Sequence, residues 1–137
     1  LDPGANDIVA AVEEWSGGHG ADVVIDTVGG DAFTASRRCI AFEGRLVVVG
    51  FTSGQIPDLR VNHLILRNFT VMGVNAMSYL WHYNRVAQQA RRAVIDLCLQ
   101  GKVAPVIFGE FPFERASEVL TRLATGQVLG KAVITVS

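Results

Sequence analysis

Two short runs of apolar, mostly β-branched residues stand out in the amino-terminal half of the chain, separated by a segment of helical length. The first run is Val23 to Asp26 and the second is Arg45 to Gly50. Such nearly unbroken apolar runs are typical of strands buried on both faces of a parallel sheet. The segment between them has a good N-cap in Asp31 and ends before Gly44. The pattern predicts a β-α-β unit with a right-handed connection.

The same periodicities predict the remaining elements. In chain order these are a first helix capped by Asn6 with a stripe of Ile8, Val12 and Trp15, a short turn at 63–66, a strand over 69–74, a helix over 83–100, an extended piece over 106–111, a helix over 114–124 and a strand over 131–136. The order is pure α/β up to about residue 101. From residue 102 onward short extended pieces surround one helix, which predicts a different structural unit.

Each of the first two strands runs into a turn of small residues. The first turn covers residues 27–30 and the second covers residues 50–54. In open α/β sheets, ligands bind beyond the carboxyl ends of the strands. These two turns are therefore the predicted location of function.

Composition and charge exclude several classes of partner. With a net charge of -1 over 137 residues, the chain shows no electrostatic basis for binding nucleic acid or an anionic membrane. The Arg37-Arg38 and Arg91-Arg92 pairs are interpreted as solvated helix faces. No apolar run approaches the length of a membrane span. Cys39 and Cys98 are predicted to be buried free thiols, which favours a reduced, cytoplasmic location.

The chain contains no motif that by itself identifies a catalytic activity. The three histidines are far apart and no C-x-x-C occurs, so no metal site is predicted. The G-x-S-x-G elbow and the G-x-G-x-x-G phosphate loop are both absent. Asp26 ends a strand where its carboxylate could meet a ribose hydroxyl, and a role in forming the turn is an equally good interpretation.

Four blocks of sequence, in the same order and at the same spacing, resemble the medium-chain dehydrogenase/reductase superfamily. They are GADVVIDTVGGDAF, GRLVVVGFTSG, RNFTVMGVN and GKAVITV. The branch they resemble is that of the zinc-free, zeta-crystallin-like quinone oxidoreductases, and the resemblance covers essentially the whole chain.

The resemblance implies a partial Rossmann fold, a doubly wound parallel sheet with helices on both faces, followed by a short returning segment of the catalytic domain. Residues 1–101 would be the carboxyl-terminal part of the cofactor-binding domain, and residues 102–137 would be the returning segment. The glycine-rich loop and the catalytic domain are expected to lie outside this chain, so no catalytic residue is assigned within it.

The resemblance also implies a nicotinamide site at the strand ends. Thr27 and Val28 would lie beside the nicotinamide ribose and ring. Gly50, Phe51 and Thr52 would pack on the nicotinamide and present backbone groups to its carboxamide. Two further pairs complete the expected set of cofactor-binding residues, namely Val74 with Asn75 and Gly130 with Lys131. Small residues suit such a site because they let the backbone approach a ligand.

The function implied is hydride transfer from NADPH, with NADH possible and no metal, to a quinone or an activated enone. The isolated chain is expected to bind the cofactor poorly and to show no turnover. A homodimer is implied through the exposed edge of the strand over 69–74. Two alternatives stay open: a non-catalytic dimerisation or nucleotide-binding module, and the enoyl-reductase domain of a polyketide or fatty-acid synthase.

Overall fold

A computed structural model describes residues 7–136 of the chain. The residues group into two compact units, one reaching to Asn84 and the other beginning at Arg85. The predicted division at residues 101 and 102 concerns which domain of a larger enzyme each part belongs to, and it stays a prediction. The predicted cap at Asn6 lies outside the described residues. Within residues 7–136, no helix combines the length and the apolar character that crossing a membrane requires.

The first unit alternates helices and strands. Its elements are α1 (Ile8–Trp15), β1 (Ala21–Asp26), α2 (Gly30–Cys39), β2 (Ile40–Val48), α3 (Asn62–Arg67), β3 (Thr70–Gly73) and α4 (Ala76–His82). The strands form one sheet in the order β1-β2-β3, and both pairings are parallel. The predicted β-α-β unit and the α/β fold class are confirmed.

The second unit begins with a helix that starts at the division between the units. Its elements are α5 (Asn84–Leu99), β4 (Ile107–Pro112), a 3-10 turn (Phe113–Arg115), α6 (Ala116–Ala124) and β5 (Lys131–Thr135). Strands β4 and β5 pair in parallel. The side chain of Val119 on α6 is buried, whereas Leu120 and Leu123 of the predicted apolar stripe are exposed. No residue of α5 is buried.

The core of the first unit lies on one face of its sheet. Ile40 and Leu46 are completely buried and pack with Phe33 of α2 and with Phe69. Val24 and Val71, on the strands flanking β2, complete this layer. Burying a large aliphatic side chain in such a core stabilises the fold by about 2 kcal/mol.

The prediction that the strands are buried on both faces is wrong within the first unit. Val23 and Ile25 are 49% and 68% exposed, and Met72 is 44% exposed. Successive residues of a strand point to opposite faces, and α2 and α3 contact the sheet on the side of Leu46. An apolar run therefore indicates a preference for burial, and helices α2 and α3 cover only one face of this sheet.

The predicted N-cap of the central helix, Asp31, and the predicted start of the second strand at Arg45 are also wrong. Helix α2 is capped by Gly29, so Asp31 lies in its first turn, where a negative charge complements the helix dipole. The helix ends at Cys39, and β2 begins at once. Gly44 lies inside β2, next to Glu43 with a φ of 60° and at a shift in the β1-β2 register. This glycine serves a bulge and does not stop a helix.

The cap of α1 is Asp7, whose carboxylate accepts hydrogen bonds from the Val9 and Ala10 N–H groups at 2.9 and 3.3 Å. The buried residue of this helix is Val9, whereas Trp15 of the predicted stripe is 70% exposed.

The two cysteines occupy different environments. Both are free thiols, as predicted, but only Cys39 is buried and Cys98 on α5 is exposed. Burial raises the pKa of the Cys39 thiol above its usual value, against an opposing hydrogen bond to backbone and the nearby positive charge of Arg67. Cys39 is therefore a neutral core residue.

Candidate functional site

The turn after β1 is held by the carboxylate of Asp26. One of its oxygens accepts hydrogen bonds from the N–H groups of Val28 and Gly29, at 2.8 and 2.9 Å. The residue is only 4% exposed. Its other oxygen, Oδ2, is buried and has no hydrogen-bond partner within the described part of the chain. The interpretation of Asp26 as a turn-forming residue is confirmed.

Backbone hydrogen bonds join this turn to the one after β2. The N–H groups of Thr52 and Ser53 donate to the carbonyl oxygens of Thr27 and Val28, each at 3.1 Å. The Ser53 hydroxyl also donates to the Val28 carbonyl, at 2.6 Å. Ser53 was not among the predicted site residues. The only sequence signal for it is its place in a turn of small residues.

The two turns approach so closely that Gly29 has no room for a side chain. A Cβ on Gly29 would lie 2.6 Å from the Gln55 carbonyl oxygen and 2.9 Å from the Phe51 ring. The residue also has a φ of 74° with a ψ of -160°, which is strained for any other residue type. The next N–H, that of Gly30, donates to the same Gln55 carbonyl at 3.1 Å.

A cavity opens where β2 and β3 separate at their carboxyl ends. The Val74 N–H donates to the Val48 carbonyl at 2.8 Å, which extends the ladder one step beyond the strands. Beyond this bond the chains diverge around a cavity of about 570 Å³. Its lining residues are Val48, Val49, Gly50, Phe51, Gly73, Val74 and Asn75. Four of the predicted site residues therefore line one cavity.

The walls of this cavity are apolar and its free polar groups are on the backbone. The N–H groups of Gly50 and Phe51 have no acceptor within hydrogen-bond distance anywhere in residues 7–136. Gly73 leaves open space, because nothing lies within 4 Å of a Cβ placed there. No lining residue is titratable. The cavity is thus suited to binding and orienting an amide, and it holds no group that could act as an acid or a base.

The side chain of Asn75 is already occupied. Its Oδ1 accepts hydrogen bonds from the Met77 and Ser78 N–H groups at 3.0 and 3.3 Å, which caps α4. The sequence pattern predicted a strand end at Asn75 and did not predict this helix. The Asn75 carbonyl accepts a hydrogen bond from the Ser78 N–H at 3.1 Å. Asn75 can therefore offer the cavity its N–H and its Nδ2, which agrees with the backbone contact that the resemblance implies.

The remaining predicted site residues lie in the second unit. Gly130 has a φ of 91°, and a Cβ there would overlap the carbonyl group of Val106. The Lys131 N–H donates to the same carbonyl at 2.8 Å, and the residue is exposed at the start of β5. These contacts explain the glycine structurally, and a role of either residue in cofactor binding stays a prediction.

No cluster of three or more His, Cys, Asp or Glu side chains suited to a metal ion occurs in the part of the chain that the structure describes. The described residues therefore do not form a zinc site of their own.

We expect Gly29→Ala to destabilise the first unit by about 2 kcal/mol or more, because the new methyl group meets the Gln55 carbonyl as well as an unfavourable φ. The matched control is Gly54→Ala, which has nearly the same φ, 76° against 74°, and no atom within 4 Å of the new Cβ. It should cost about 1 kcal/mol. The measurement is urea unfolding of both variants, and equal losses of stability would contradict the close approach of the turns.

Comparison with known proteins agrees with the fold. The family model described as "Zinc-binding dehydrogenase" matches residues 3–134. The Quinone oxidoreductase-like protein 2 of Bos taurus is 37% identical over 123 residues, which cover 87% of this chain and 35% of that protein. A highly reducing polyketide synthase of Emericella nidulans is 27% identical over 121 residues, covering 88% of this chain and 5% of the synthase.

Among solved structures, the quinone oxidoreductase of Escherichia coli complexed with NADPH superposes with a TM-score of 0.85. It covers 99% of this chain and 42% of the enzyme, at 20% identity. At that identity the superposition is evidence for the fold alone. The chain spans about a third of the length of the Quinone oxidoreductase-like protein 2 relatives that it matches.

The parallel α/β fold, the match to the family model over nearly every residue and the identity with the bovine protein lead to one assignment. The chain belongs to the zinc-binding dehydrogenase family of the medium-chain dehydrogenase/reductase superfamily, with the quinone oxidoreductase-like proteins as its relatives.

Proposed function

We propose that the chain is the cofactor-binding portion of an NAD(P)H-dependent oxidoreductase that transfers a hydride to a quinone or an activated enone. The observation that carries this proposal is the largely apolar cavity at the carboxyl ends of β2 and β3, two of whose lining residues, Gly50 and Phe51, have backbone N–H groups without a hydrogen-bond acceptor in residues 7–136. Its volume of about 570 Å³ lies within the range of small-molecule sites.

The lining residues fit a nicotinamide. The N–H groups of Gly50 and Phe51 can donate to the carboxamide oxygen, and the apolar side chains of Val48 and Val74 can cover the ring. The nucleotide supplies the hydride when it is bound, and the protein contributes binding, orientation and the exclusion of water. Because no lining residue is titratable, any proton that the reaction requires must come from elsewhere.

The turn after β1 would complete the ribose side of the site. Thr27 and Val28 have their carbonyl groups engaged by the neighbouring turn, and Asp26 fixes the N–H groups of Val28 and Gly29. We therefore assign Thr27 and Val28 a role through shape and side-chain contact. We also assign Thr52, Asn75, Gly130 and Lys131 to cofactor binding, in agreement with the resemblance.

The finer features of the proposal are supported by the relatives. The bovine protein is named quinone oxidoreductase-like. We propose NADPH as the cofactor, with NADH possible, in agreement with the family resemblance. We propose a zinc-free reaction, in agreement with the resemblance to the zinc-free quinone oxidoreductases. We also propose a cytoplasmic location, which the two free thiols favour.

A second candidate function is that of an enoyl-reductase domain within a polyketide synthase. The match to the Emericella nidulans synthase, at 27% identity over 88% of this chain, favours it. Both candidates use the same cavity and the same hydride chemistry. Identity with the bovine relative is higher, at 37%, so the quinone-reductase proposal is preferred.

Titration of the chain with NADPH and NADH, followed by nucleotide fluorescence, tests the cavity. We expect saturable binding at roughly millimolar strength and no turnover of a quinone. Gly73→Leu should weaken binding about tenfold or more, because the new side chain fills open space in the cavity.

The matched control for this titration is Met72→Leu, which changes the adjacent residue of β3 with little change in volume and does not line the cavity. Its affinity should equal that of the unmodified chain. Identical affinities for Gly73→Leu and Met72→Leu would rule out this cavity as the nicotinamide site.

We also propose that β3 pairs with a second copy of the chain. In the three-stranded sheet β3 is an edge strand. Because the Val74 N–H points to β2 and N–H groups alternate along a strand, the N–H groups of Val71 and Gly73 point to the open edge. An open edge of this kind is a template for pairing.

Val71→Pro should convert the dimer to monomer, because proline removes an outward N–H donor and blocks pairing at the edge. Val71 also packs against the core, so Val71→Ala serves as the control that loses the side chain and keeps the N–H. Light scattering on the two variants separates the effects. A dimer that survives Val71→Pro would show that association does not use this edge.

A further inference from the structure

A second cavity, of about 300 Å³, lies at the amino end of β2 and is unusually basic. Its lining residues come from α1, the last turn of α2, and α3 with the residue before β3. They are Val9, Glu13, Arg37, Arg38, His63, Leu66, Arg67 and Phe69. Three guanidinium groups and an imidazole thus share a small space with a single carboxylate. We call this the basic cavity.

Two of the guanidinium groups are held in place by neutral acceptors. Arg67 donates from Nη1 to the carbonyl oxygen of Ile40, at 2.7 Å. Arg37 donates from Nη1 to Nδ1 of His63, at 2.8 Å. Neither acceptor carries a negative charge, so these bonds position the guanidinium groups and leave their charge uncompensated.

The contact between Arg37 and His63 also decides which ring nitrogen faces a further partner. A guanidinium has donors only, so Nδ1 of His63 is the acceptor in this contact. Nε2 is the ring nitrogen that remains for a ligand.

The one carboxylate that lines the cavity, that of Glu13, offsets part of its positive charge but forms no ion pair with the arginines. Within residues 7–136, no Asp or Glu oxygen lies within 4.0 Å of a side-chain nitrogen of Arg37, Arg38 or Arg67. The chain as a whole carries a net charge of -1, so this positive charge is a local feature. Elsewhere the protein does pair its charges, as Arg115 and Arg122 do with Glu118.

The placement of the arginines is only partly explained by helix stability. Arg37 and Arg38 lie in the last turn of α2, where positive charge complements the helix dipole. Arg67 likewise lies in the last turn of α3, whereas the dipole effect does not account for His63, which is 26 residues from its partner Arg37 in the sequence. The fold brings two helices together to make the cluster.

The basic cavity is separate from the proposed nicotinamide site. It adjoins Ile40, the first residue of β2, whereas the other cavity adjoins Val48, the last. Because β2 carries a bulge, its length is read from β1, where Ala21 lies opposite Ile40 and Asp26 opposite Val48. These five steps separate the two ends by about 17 Å, at about 3.3 Å per residue. A nicotinamide bound at the carboxyl ends does not reach it.

We propose that the basic cavity binds a small dianion of the phosphate type, either free phosphate or a phosphomonoester. Arginine recognises phosphate through paired N–H donors, and preorganised guanidinium groups lose little freedom on binding. The cavity volume of about 300 Å³ is at the small end of ligand sites, which suits a phosphate group and excludes a dinucleotide. This inference does not depend on the proposed function.

Isothermal titration of the full chain with inorganic phosphate, at ionic strength held constant with chloride, tests the proposal. We expect saturable binding by the unmodified chain. The double variant Arg37→Gln with Arg67→Gln should bind phosphate about tenfold more weakly, or more weakly still. The matched control replaces Arg91 and Arg92 by Gln, since both are exposed on α5. That control should retain the affinity of the unmodified chain.

Proton NMR of His63 in the unmodified chain gives a second readout that needs no variant to fold. Its ring signals should shift with phosphate along the same binding curve. Absence of that shift, equal affinity in the two double variants, or equal binding of acetate and phosphate would overturn the proposal. Comparison with methyl phosphate identifies the source, because tighter binding of the ester assigns the cavity to phosphomonoesters and weaker binding assigns it to free phosphate.

Discussion

The first unit depends on the close, hydrogen-bonded approach of the two turns that follow β1 and β2. Backbone donors of Thr52 and Ser53 reach the carbonyl groups of Thr27 and Val28, and Gly30 reaches Gln55. This approach is possible because Gly29 has no side chain and tolerates its backbone conformation. The Asp26 carboxylate stabilises the first turn by accepting two further hydrogen bonds, from the N–H groups of Val28 and Gly29.

That constraint has a consequence for the neighbouring cavity. Because the carbonyl groups of the first turn accept hydrogen bonds from the second turn, the second turn is fixed relative to β1. The N–H groups of Gly50 and Phe51, at the start of the second turn, have no acceptor in the described residues. On the other side, Asn75 is fixed as the cap of α4. The cavity between them is thus bounded by rigid backbone, which favours a ligand recognised through its amide and its shape.

Much of the first unit could be predicted from the sequence, and the errors have physical reasons. The apolar runs located β1, β2 and β3 because β-branched residues suit buried parallel strands. Gly44 was misjudged because a glycine can serve a bulge as well as a helix end. The exposure of Val23 and Ile25 could not be predicted, because a pattern shows which residues favour burial but not what covers them.

The same limits apply to the two sites. The family resemblance predicted Gly50, Phe51, Val74 and Asn75, which line one cavity. The strand-end pattern alone indicated only the turn that contains Gly50 and Phe51. The basic cavity was not predicted, because Arg37 and Arg67 are 30 positions apart and only the packing of α2 and α3 joins them. In the sequence, each arginine pair has the pattern of a solvated helix face, and nothing in the pattern connects Arg37-Arg38 to Arg67.

The most direct measurement is a map of backbone amide NMR shifts on adding reduced nicotinamide mononucleotide in phosphate buffer, which keeps the basic cavity saturated. A nicotinamide bound at the carboxyl ends of β2 and β3 should cause the largest shifts at Gly50 and Phe51, with smaller ones at Val74 and Asn75. Saturable shifts centred elsewhere, with these four amides unmoved, would contradict a nicotinamide site at the carboxyl ends of β2 and β3.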